Sequence, residues 1–236
     1  MAGGKMDFIK EARQSLQQLP LQNIALDQEL QHIEVEGGTI DLELFRCEKV
    51  EKVVLSGIKV HESGVTDETV IIWPDASHNF PALWCTLTII PSVMNIPIID
   101  FVPMMDFVVW PEYAEQYIQG IKDLKLKALE IFGETIIDKA VDLPSLSVYT
   151  FSPYRLVVKI SDEGKPRLPE VMHEYIQAYI KLWQDAKPVA EKPERDFYLR
   201  KKEATRALMK GNDPGFPLMA SIFGEEKTCK VFDLVF

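Results

Sequence analysis

The sequence predicts an α+β fold, an α/β/α sandwich in which helices flank a central antiparallel sheet. Three observations predict it. Apolar residues alternate with a period of two over much of the first two thirds of the chain, and the spacers between these stretches are too short for βαβ crossovers. Helical spacing of apolar residues dominates both ends of the chain. A block of strands with helices before and after it is expected to be covered on both faces.

The elements are predicted in order from local patterns. Apolar spacing over 6–19 predicts the first helix, which Pro20 ends, and alternation from Ile40 predicts a strand with one solvent-exposed face. The further strands are predicted at 53–60, 70–73, 83–90, 96–102, 147–151 and 155–160. The further helices are predicted at 111–132, which Gly133 closes, 169–187, 195–209 and 217–223.

The 236 residues are expected to form a single domain, because length alone favours one large unit. We divide it into an N-terminal helix and lead-in (1–34), a region that is mainly sheet with one long helix (35–160), and C-terminal helices (168–236). A composition of 47% hydrophobic and 26% charged residues is typical of a globular protein rather than a disordered one.

The chain shows no apolar run long enough to span a bilayer and no targeting segment. Its cysteines, Cys47, Cys85 and Cys229, are far apart without a CxxC pair, which excludes a disulfide framework and a zinc ribbon. We therefore expect a soluble protein of a reducing compartment, the cytoplasm or the plastid stroma.

The net charge of −10 argues against a general nucleic-acid binder. Charge is unevenly distributed, because the window 187–210 contains eight basic and four acidic residues, a net +4, which leaves −14 for the rest of the chain. This basic window is either a solvated helix face or a docking patch for an acidic partner.

The common cofactor and catalytic motifs are missing from the sequence. It contains no GxGxxG, Walker, GxSxG or HExxH motif. The four histidines are scattered along the chain: His32, His61, His78 and His173. The sequence therefore does not support a resident nicotinamide, flavin, iron–sulfur or metal centre.

Two strands carry candidate ligand-binding side chains. In the 83–90 strand, Trp84, Thr86 and Thr88 share one face and the apolar residues share the other, so the hydroxyl-bearing face is the candidate for a ligand. In the 155–160 strand, Arg155 and Lys159 share a face about 13 Å apart, a separation that fits two carboxylates of one large ligand. Plain solvent exposure of these two cations is the alternative.

Asp213, followed by Pro214, has two interpretations. An aspartate before proline is typical of a helix start, where the carboxylate caps free N–H groups. A carboxyl group facing an apolar pocket would instead have a raised pKa and donate protons near neutral pH.

Three stretches of the chain resemble the ferredoxin-dependent bilin reductases and their relative, red chlorophyll catabolite reductase. The resemblance covers roughly residue 35 to the end of the chain. It is carried by Ile72 to Asp75, Phe80-Pro81, Cys85 and Ile98-Ile-Asp-Phe-Val-Pro103, by Phe151-Ser-Pro153 with Lys159, and by Asn212-Asp-Pro-Gly215, Ile222-Phe-Gly-Glu225 and Val231-Phe-Asp-Leu-Val-Phe236.

The resemblance implies an open-chain tetrapyrrole, biliverdin or a related bilin, held between the sheet and the C-terminal helices. It implies that the protein binds no redox cofactor of its own, that electrons arrive singly from reduced ferredoxin, and that side-chain acids protonate the bilin radical. The basic window 187–210 would then be the dock for acidic ferredoxin.

The resemblance also assigns roles to individual residues. Asp213 matches a proton donor or substrate orienter, Lys159 a cation that pairs with a propionate, and Asp100 an acid at a strand end. The predicted substrate-binding residues are Thr86, Lys159, Arg155, Asp100, Asn212 and Trp84.

The chain departs from the family pattern at two strand positions. Thr86 occupies the position of the usual strand acid, and Thr69 that of an upstream histidine. A threonine hydroxyl can bond a lactam oxygen but is a poor acid. His78, in the preceding turn, is the candidate substitute acid because its ordinary pKa is near neutrality, and a surface turn histidine is the alternative.

Three functions follow from these residues. The leading one is ferredoxin-dependent bilin reduction with Asp213 as the principal acid. The second is a tetrapyrrole-binding protein of the same fold with no activity or an altered one, which Thr86 motivates. The third is a protein-interaction domain with no small ligand.

Overall fold

The computed structural model describes residues 8–139, 146–189 and 192–236, and a ten-stranded sheet forms the middle layer of this part. Neighbouring strands run antiparallel in the order β1-β3-β4-β5-β6-β7-β10-β8, with β2 paired to β3 and β9 paired to β7. The strands are β1 (Gln22–Ile24), β2 (His32–Val35), β3 (Gly38–Cys47), β4 (Val50–Val60), β5 (Thr66–Pro74), β6 (Ala82–Ile90), β7 (Met94–Val102), β8 (Ile136–Asp138), β9 (Leu156–Val157) and β10 (Lys159–Ile160).

Helices precede, interrupt and follow the strands. A π-helical turn (Ala114–Ile118) joins the third helix to the fourth, as one continuous helical segment. The α-helices are α1 (Phe8–Ser15), α2 (Gln28–Gln31), α3 (Pro111–Tyr113), α4 (Gln119–Phe132), α5 (Leu168–Asp185), α6 (Lys192–Gly211), α7 (Phe216–Phe223) and α8 (Glu225–Val235). Within the described ranges, no helix has the length and apolar character needed to cross a membrane.

Helices cover the sheet on both faces, which confirms the predicted sandwich. On one face α1 and α5 pack together, and Tyr175 and Tyr179 of α5 place their rings 6.1 and 5.6 Å from that of Phe101 on β7. On the other face lie α6, α7 and α8. The sheet therefore divides the core into two layers, and the helices α6, α7 and α8 of the second layer come from the end of the chain.

Three contacts hold the end of α8 against the sheet. The indole Nε1 of Trp73 donates to the carbonyl of Val235 at 3.0 Å, and Lys52 Nζ donates to that of Leu234 at 2.6 Å. The Arg206 guanidinium donates to the carbonyl of Phe236 and lies 5.1 Å from the centroid of the Trp73 ring. Cations near the last carbonyls of a helix interact favourably with the negative end of the helix dipole. These contacts fix the height of α8 above the sheet.

Most predicted elements are confirmed, with two corrections near residue 155. The predicted strand 147–151 is wrong, because a 3₁₀ helix (Leu146–Thr150) occupies this segment before Ser152 turns the chain by bonding Asp100. The predicted strand 155–160 is divided into β9 and β10. The register places Val158 opposite Pro97, which has no N–H for the ladder. Positions 6 and 7 of the first predicted helix lie outside the described residues.

The prediction for β5 was too short. This strand begins at Thr66, four residues before the predicted start at Val70, and pairs with β6 from Thr66 opposite Ile89 to Ile72 opposite Leu83. Because β6 is nine residues long, it also pairs with the polar segment Thr66-Asp-Glu-Thr69 at the start of β5. The extension adds two polar side chains to the sheet face that faces α6 to α8, those of Asp67 and Thr69.

Candidate functional site

A cavity of about 470 Å³ lies between the sheet and the C-terminal helices. This is the size range of small-molecule sites. Its floor is formed by side chains of β4 to β7, among them Ser56, Ile58, Asp67, Thr69, Trp84, Thr86, Thr88 and Ile98. Its roof is formed by α6, α7, α8 and the loop before α7, among them Met209, Asp213, Leu218, Met219, Val231, Phe232 and Val235.

The period of two along β6 explains which residues reach this cavity. Trp84, Thr86 and Thr88 line it, whereas Cys85 and Leu87 are fully buried on the opposite face. The predicted division of the strand into two faces is confirmed. The Trp84 ring stacks on that of Phe236 at 5.7 Å and meets Phe151 edge-on, so aromatic rings form one wall.

The ionisable groups of the cavity come from opposite walls. Asp67 lies on the floor and Asp213 on the roof, among otherwise apolar or hydroxyl-bearing side chains. Among the described residues that line it, none is a lysine, arginine or histidine. The cavity can therefore donate and accept protons at both walls without a fixed positive charge.

Asp213 is in the loop that connects α6 to α7. Its Oδ1 accepts a hydrogen bond from the N–H of Gly215 at 2.8 Å, and α7 begins at the next residue, Phe216. The carboxylate therefore satisfies a free N–H at the helix start, as the capping interpretation predicts. Burial raises its pKa to about 6, the bond from Gly215 opposes this shift, and the charge of Asp67 adds to it. Asp213 can exchange a proton near neutral pH.

Asp67 was missed in the sequence. Its Oδ1 accepts from the hydroxyl of Thr69 at 2.9 Å and its Oδ2 from that of Thr88 at 2.6 Å. Burial raises its pKa, and the two hydroxyl bonds partly offset the rise. Extending the alternation backward from Trp73 through Ile71 and Thr69 would have placed Asp67 on the face of Thr86.

The two threonines at the positions of departure from the family are in contact. Thr69 lies directly opposite Thr86 in the β5–β6 ladder, and their hydroxyl oxygens are 2.9 Å apart. Both residues are buried from bulk solvent and line the cavity floor. The hydroxyl of Thr86 is therefore connected to the carboxyl of Asp67 through Thr69.

The cations predicted to bind propionates are near the cavity but outside its lining. Leu156 and Val158, which alternate with them in the sequence, are fully buried. Val157, which lies between Arg155 and Lys159 in the sequence, pairs with Ile98 of the cavity floor. Lys159 Nζ is 3.8 Å from a carboxylate oxygen of Asp138, and Arg155 donates to the carbonyl of Ser152 at 3.5 Å. Their role in binding stays a prediction.

Two other predicted substrate-binding residues have contacts outside the cavity lining. Asp100 is fully buried, where it accepts hydrogen bonds of 2.5 Å from both the backbone N–H and the hydroxyl of Ser152. Burial raises its pKa to about 6 despite these bonds. The Asn212 side chain donates to the carbonyl of Leu208 at 2.8 Å. Asp100 therefore links β7 to the 3₁₀ helix before Ser152, and Asn212 closes the end of α6.

His78 does not reach the cavity. Its Nδ1 lies 3.1 Å from Asp75 Oδ1 and 2.9 Å from the hydroxyl of Ser77, and its backbone bridges to Pro188. These are the contacts of a turn residue, so we assign it no role in the chemistry below. In the described ranges, no group of three or more histidine, cysteine or acidic side chains could hold a metal ion.

The basic window 187–210 is partly neutralised by acids elsewhere in the fold. Lys202 is buried and bonds Glu51, Arg206 also bonds Glu51, and Lys210 bonds Asp233. Positions 190 and 191 lie outside the described residues. The basic residues of the window that are exposed in the structure are Lys187, Lys192, Arg195 and Arg200.

Replacing Asp213 with asparagine is expected to stabilise the fold at neutral pH. The folded-state pKa of about 6 exceeds the ordinary 3.8, so the stability contributed by protonated Asp213 is present below pH 3.8 and lost as pH rises through about 6. The variant should gain about 1–2 kcal/mol at neutral pH, less than the ~3 kcal/mol of the full shift because solvent partly screens the group. Urea unfolding measures this gain, and a gain independent of pH would contradict it.

Comparison with known proteins gives a family and a structural relative. The family model described as ferredoxin-dependent bilin reductase matches residues 9–233. The crystal structure of selenomethionine phytochromobilin synthase from tomato in complex with biliverdin matches with a TM-score of 0.79 and 17% identity, over 94% of this chain and 78% of that one. No curated protein matches significantly. At this identity the structural match establishes the fold.

Proposed function

Because this chain belongs to the ferredoxin-dependent bilin reductase family, we propose that it reduces biliverdin or a related linear tetrapyrrole with electrons from reduced ferredoxin. The observation that carries the proposal is the cavity between the hydroxyl-bearing face of the sheet and the C-terminal helices. It combines apolar walls, suited to a flat pigment, with proton-exchanging carboxyls on two sides.

The reaction needs protons from the protein. Saturating one double bond of a bilin takes two electrons and two protons, and ferredoxin delivers the electrons one at a time. Each added electron makes the bilin more basic, and an acid with a pKa near the working pH transfers its proton most effectively. Asp213, with a pKa of about 6, is the principal proton donor in this proposal.

The propionate groups are proposed to leave the cavity on the side of β7. Arg155 and Lys159 flank Val157, which pairs with Ile98 of the cavity floor on β7. Placing two carboxylates inside an apolar cavity without cations would be costly, whereas outside it they meet these cations and solvent. The conjugated rings would then lie over Thr86, and the charged ends at the rim.

Anaerobic incubation of the protein with biliverdin, ferredoxin and ferredoxin reductase tests the proposal. A reductase consumes electrons in proportion to the bilin converted and changes the absorption spectrum to that of a reduced bilin. A protein that only binds the pigment would shift the spectrum without consuming electrons, which would reject the proposed reaction in favour of the binding role. An unchanged spectrum would reject both.

Reversing charge on α6 is expected to weaken the use of ferredoxin. The exposed Arg195 and Arg200 lie in the basic window, and electrostatic attraction speeds encounter with an acidic partner. The double variant Arg195→Glu, Arg200→Glu should raise the KM for ferredoxin by about 10-fold at low salt, with the difference shrinking as salt is added. Steady-state assays at several salt concentrations measure it.

The matched control reverses a charge on another surface. Lys59 is exposed on β4, outside the basic window, and Lys59→Glu is expected to leave the KM for ferredoxin unchanged. Lys59→Glu reverses one charge and the double variant reverses two, so an effect on the KM that is equal per reversed charge would show that only the overall charge matters. That result would reject α6 as the dock.

A further inference from the structure

Three side chains on the cavity floor form one connected hydrogen-bond chain. Thr86 Oγ1 is 2.9 Å from Thr69 Oγ1, and Thr69 Oγ1 donates to Asp67 Oδ1 at 2.9 Å. All three residues line the cavity. The ladder fixes this geometry, because Thr69 is paired opposite Thr86 and Asp67 is two residues earlier on the same face of β5.

The protonation state of Asp67 determines in which direction the hydroxyls of Thr69 and Thr86 donate their hydrogen bonds. A carboxylate only accepts hydrogen bonds, so when Asp67 is ionised Thr69 must donate to it and Thr86 must donate to Thr69. Thr86 then offers only lone pairs to a ligand. When Asp67 is protonated it can donate to Thr69, and the chain can reverse until the Thr86 O–H points at the ligand.

We propose that Asp67, Thr69 and Thr86 form a proton relay that delivers a proton from the cavity floor to the bilin. The proposal rests on the proposed function and deepens it, because it assigns the donor on the wall opposite Asp213. A threonine hydroxyl is too weak an acid to be the source of the proton, whereas a carboxyl at the far end of the chain can supply it.

The transfer balances in atoms and charge. After one electron from ferredoxin has reached the bilin, the Thr86 O–H bond breaks and its proton bonds the bilin. Thr86 takes the proton of Thr69, and Thr69 takes that of Asp67, so both hydroxyls are restored. Asp67 remains as a carboxylate and regains a proton from solvent before the next turnover.

The surroundings of Asp67 favour a group that alternates between its two states. The second oxygen of Asp67 accepts from the hydroxyl of Thr88 at 2.6 Å, so both carboxyl oxygens are held by hydroxyl groups of the floor. Burial raises its pKa, and the hydroxyls that bond its ionised form limit the rise. Asp213 faces it from the roof, and its charge disfavours ionisation of both groups together. Two walls would thus supply the two protons that one double bond requires.

Anaerobic single-turnover reduction of bound biliverdin tests the relay. Asp67→Asn and Thr69→Val are each expected to slow the proton-dependent step by about 10–100-fold with the Kd for biliverdin within about threefold of the wild type. Thr69→Ser keeps the hydroxyl and is expected to recover most of the rate that Thr69→Val loses. A wild-type rate in Thr69→Val would overturn the relay, whatever Asp67→Asn does.

Infrared spectroscopy tests the relay without turnover, so its failure is distinguishable from failure of the proposed function. Difference spectra between acid and alkaline pH should contain a carboxyl C=O band that disappears in Asp67→Asn and shifts in Thr69→Val. A band that stays unshifted in Thr69→Val would show that the carboxyl and the hydroxyl are not coupled and would overturn the relay. A wild-type protein that binds biliverdin without consuming electrons would reject the function and the proton delivery together, whereas an unshifted band in a protein that does reduce biliverdin would reject the relay alone.

Discussion

Asp213→Asn is expected to bind biliverdin with nearly wild-type affinity and to reduce it about 10²–10⁴-fold more slowly. Asparagine keeps the oxygen that accepts from the N–H of Gly215, so the loop before α7 retains its shape. It cannot release a proton, so the variant should accumulate a coloured radical or unreduced pigment. Anaerobic stopped-flow absorption, with electron paramagnetic resonance on frozen samples, measures this accumulation.

The control for this prediction is an aspartate at a distance from the cavity. Asp233 bonds Lys210 on the exposed side of α8, and Asp233→Asn should leave turnover unchanged. Full turnover by Asp213→Asn would reject Asp213 as the principal acid. The combination expected for Asp213→Asn, greater stability at neutral pH and lost turnover, is typical of a group kept in an unfavourable environment for function.

Ser56→Phe is expected to abolish tight binding of biliverdin, with a Kd raised by at least about 100-fold. Ser56 is buried at the cavity floor on β4, next to Thr69 in the ladder. A phenyl ring at this position has empty space to enter, so the fold should tolerate it while the pigment loses its place. Absorption titration with biliverdin measures the affinity.

Ser56→Ala is the matched control, because it removes the hydroxyl and adds no volume. It should bind biliverdin with an affinity close to that of the wild type. Thermal unfolding should show that both variants are folded. A Kd for Ser56→Phe equal to that of Ser56→Ala would place the pigment elsewhere on the protein.

The sandwich and the hydroxyl-bearing face of the sheet could be predicted because both follow from local periodicity. Alternation along β6 separates Thr86 from Cys85 whatever the rest of the chain does, and the structure places the two on opposite faces. The helical spacing that predicted α5 likewise needs no tertiary information. Where the apolar pattern of a segment alone indicates a helix or strand, the predicted bounds lie within a few residues of the observed ones.

The failures occur where tertiary pairing overrides local pattern. The polar start of β5 is a strand because β6 pairs with it, so Asp67 joined the site without an apolar signal of its own. The 3₁₀ helix Leu146–Thr150 is followed by Ser152, which bonds Asp100 of β7, a contact between distant parts of the chain that no local pattern indicates. Lys202 looked like a surface cation in a basic run, but it is buried through an ion pair with Glu51, 151 positions earlier in the chain.

A structure of the complex with oxidised biliverdin would show whether the pigment occupies the space between Thr86 and Asp213. We expect the tetrapyrrole rings to lie in this cavity, with the Thr86 hydroxyl and the Asp213 carboxyl each within hydrogen-bond distance of the pigment, and with the propionates directed toward β7. Pigment bound outside the cavity, or a cavity closed by packed side chains with Asp213 turned to solvent, would rule out this site and the role of Asp213 as the proton donor.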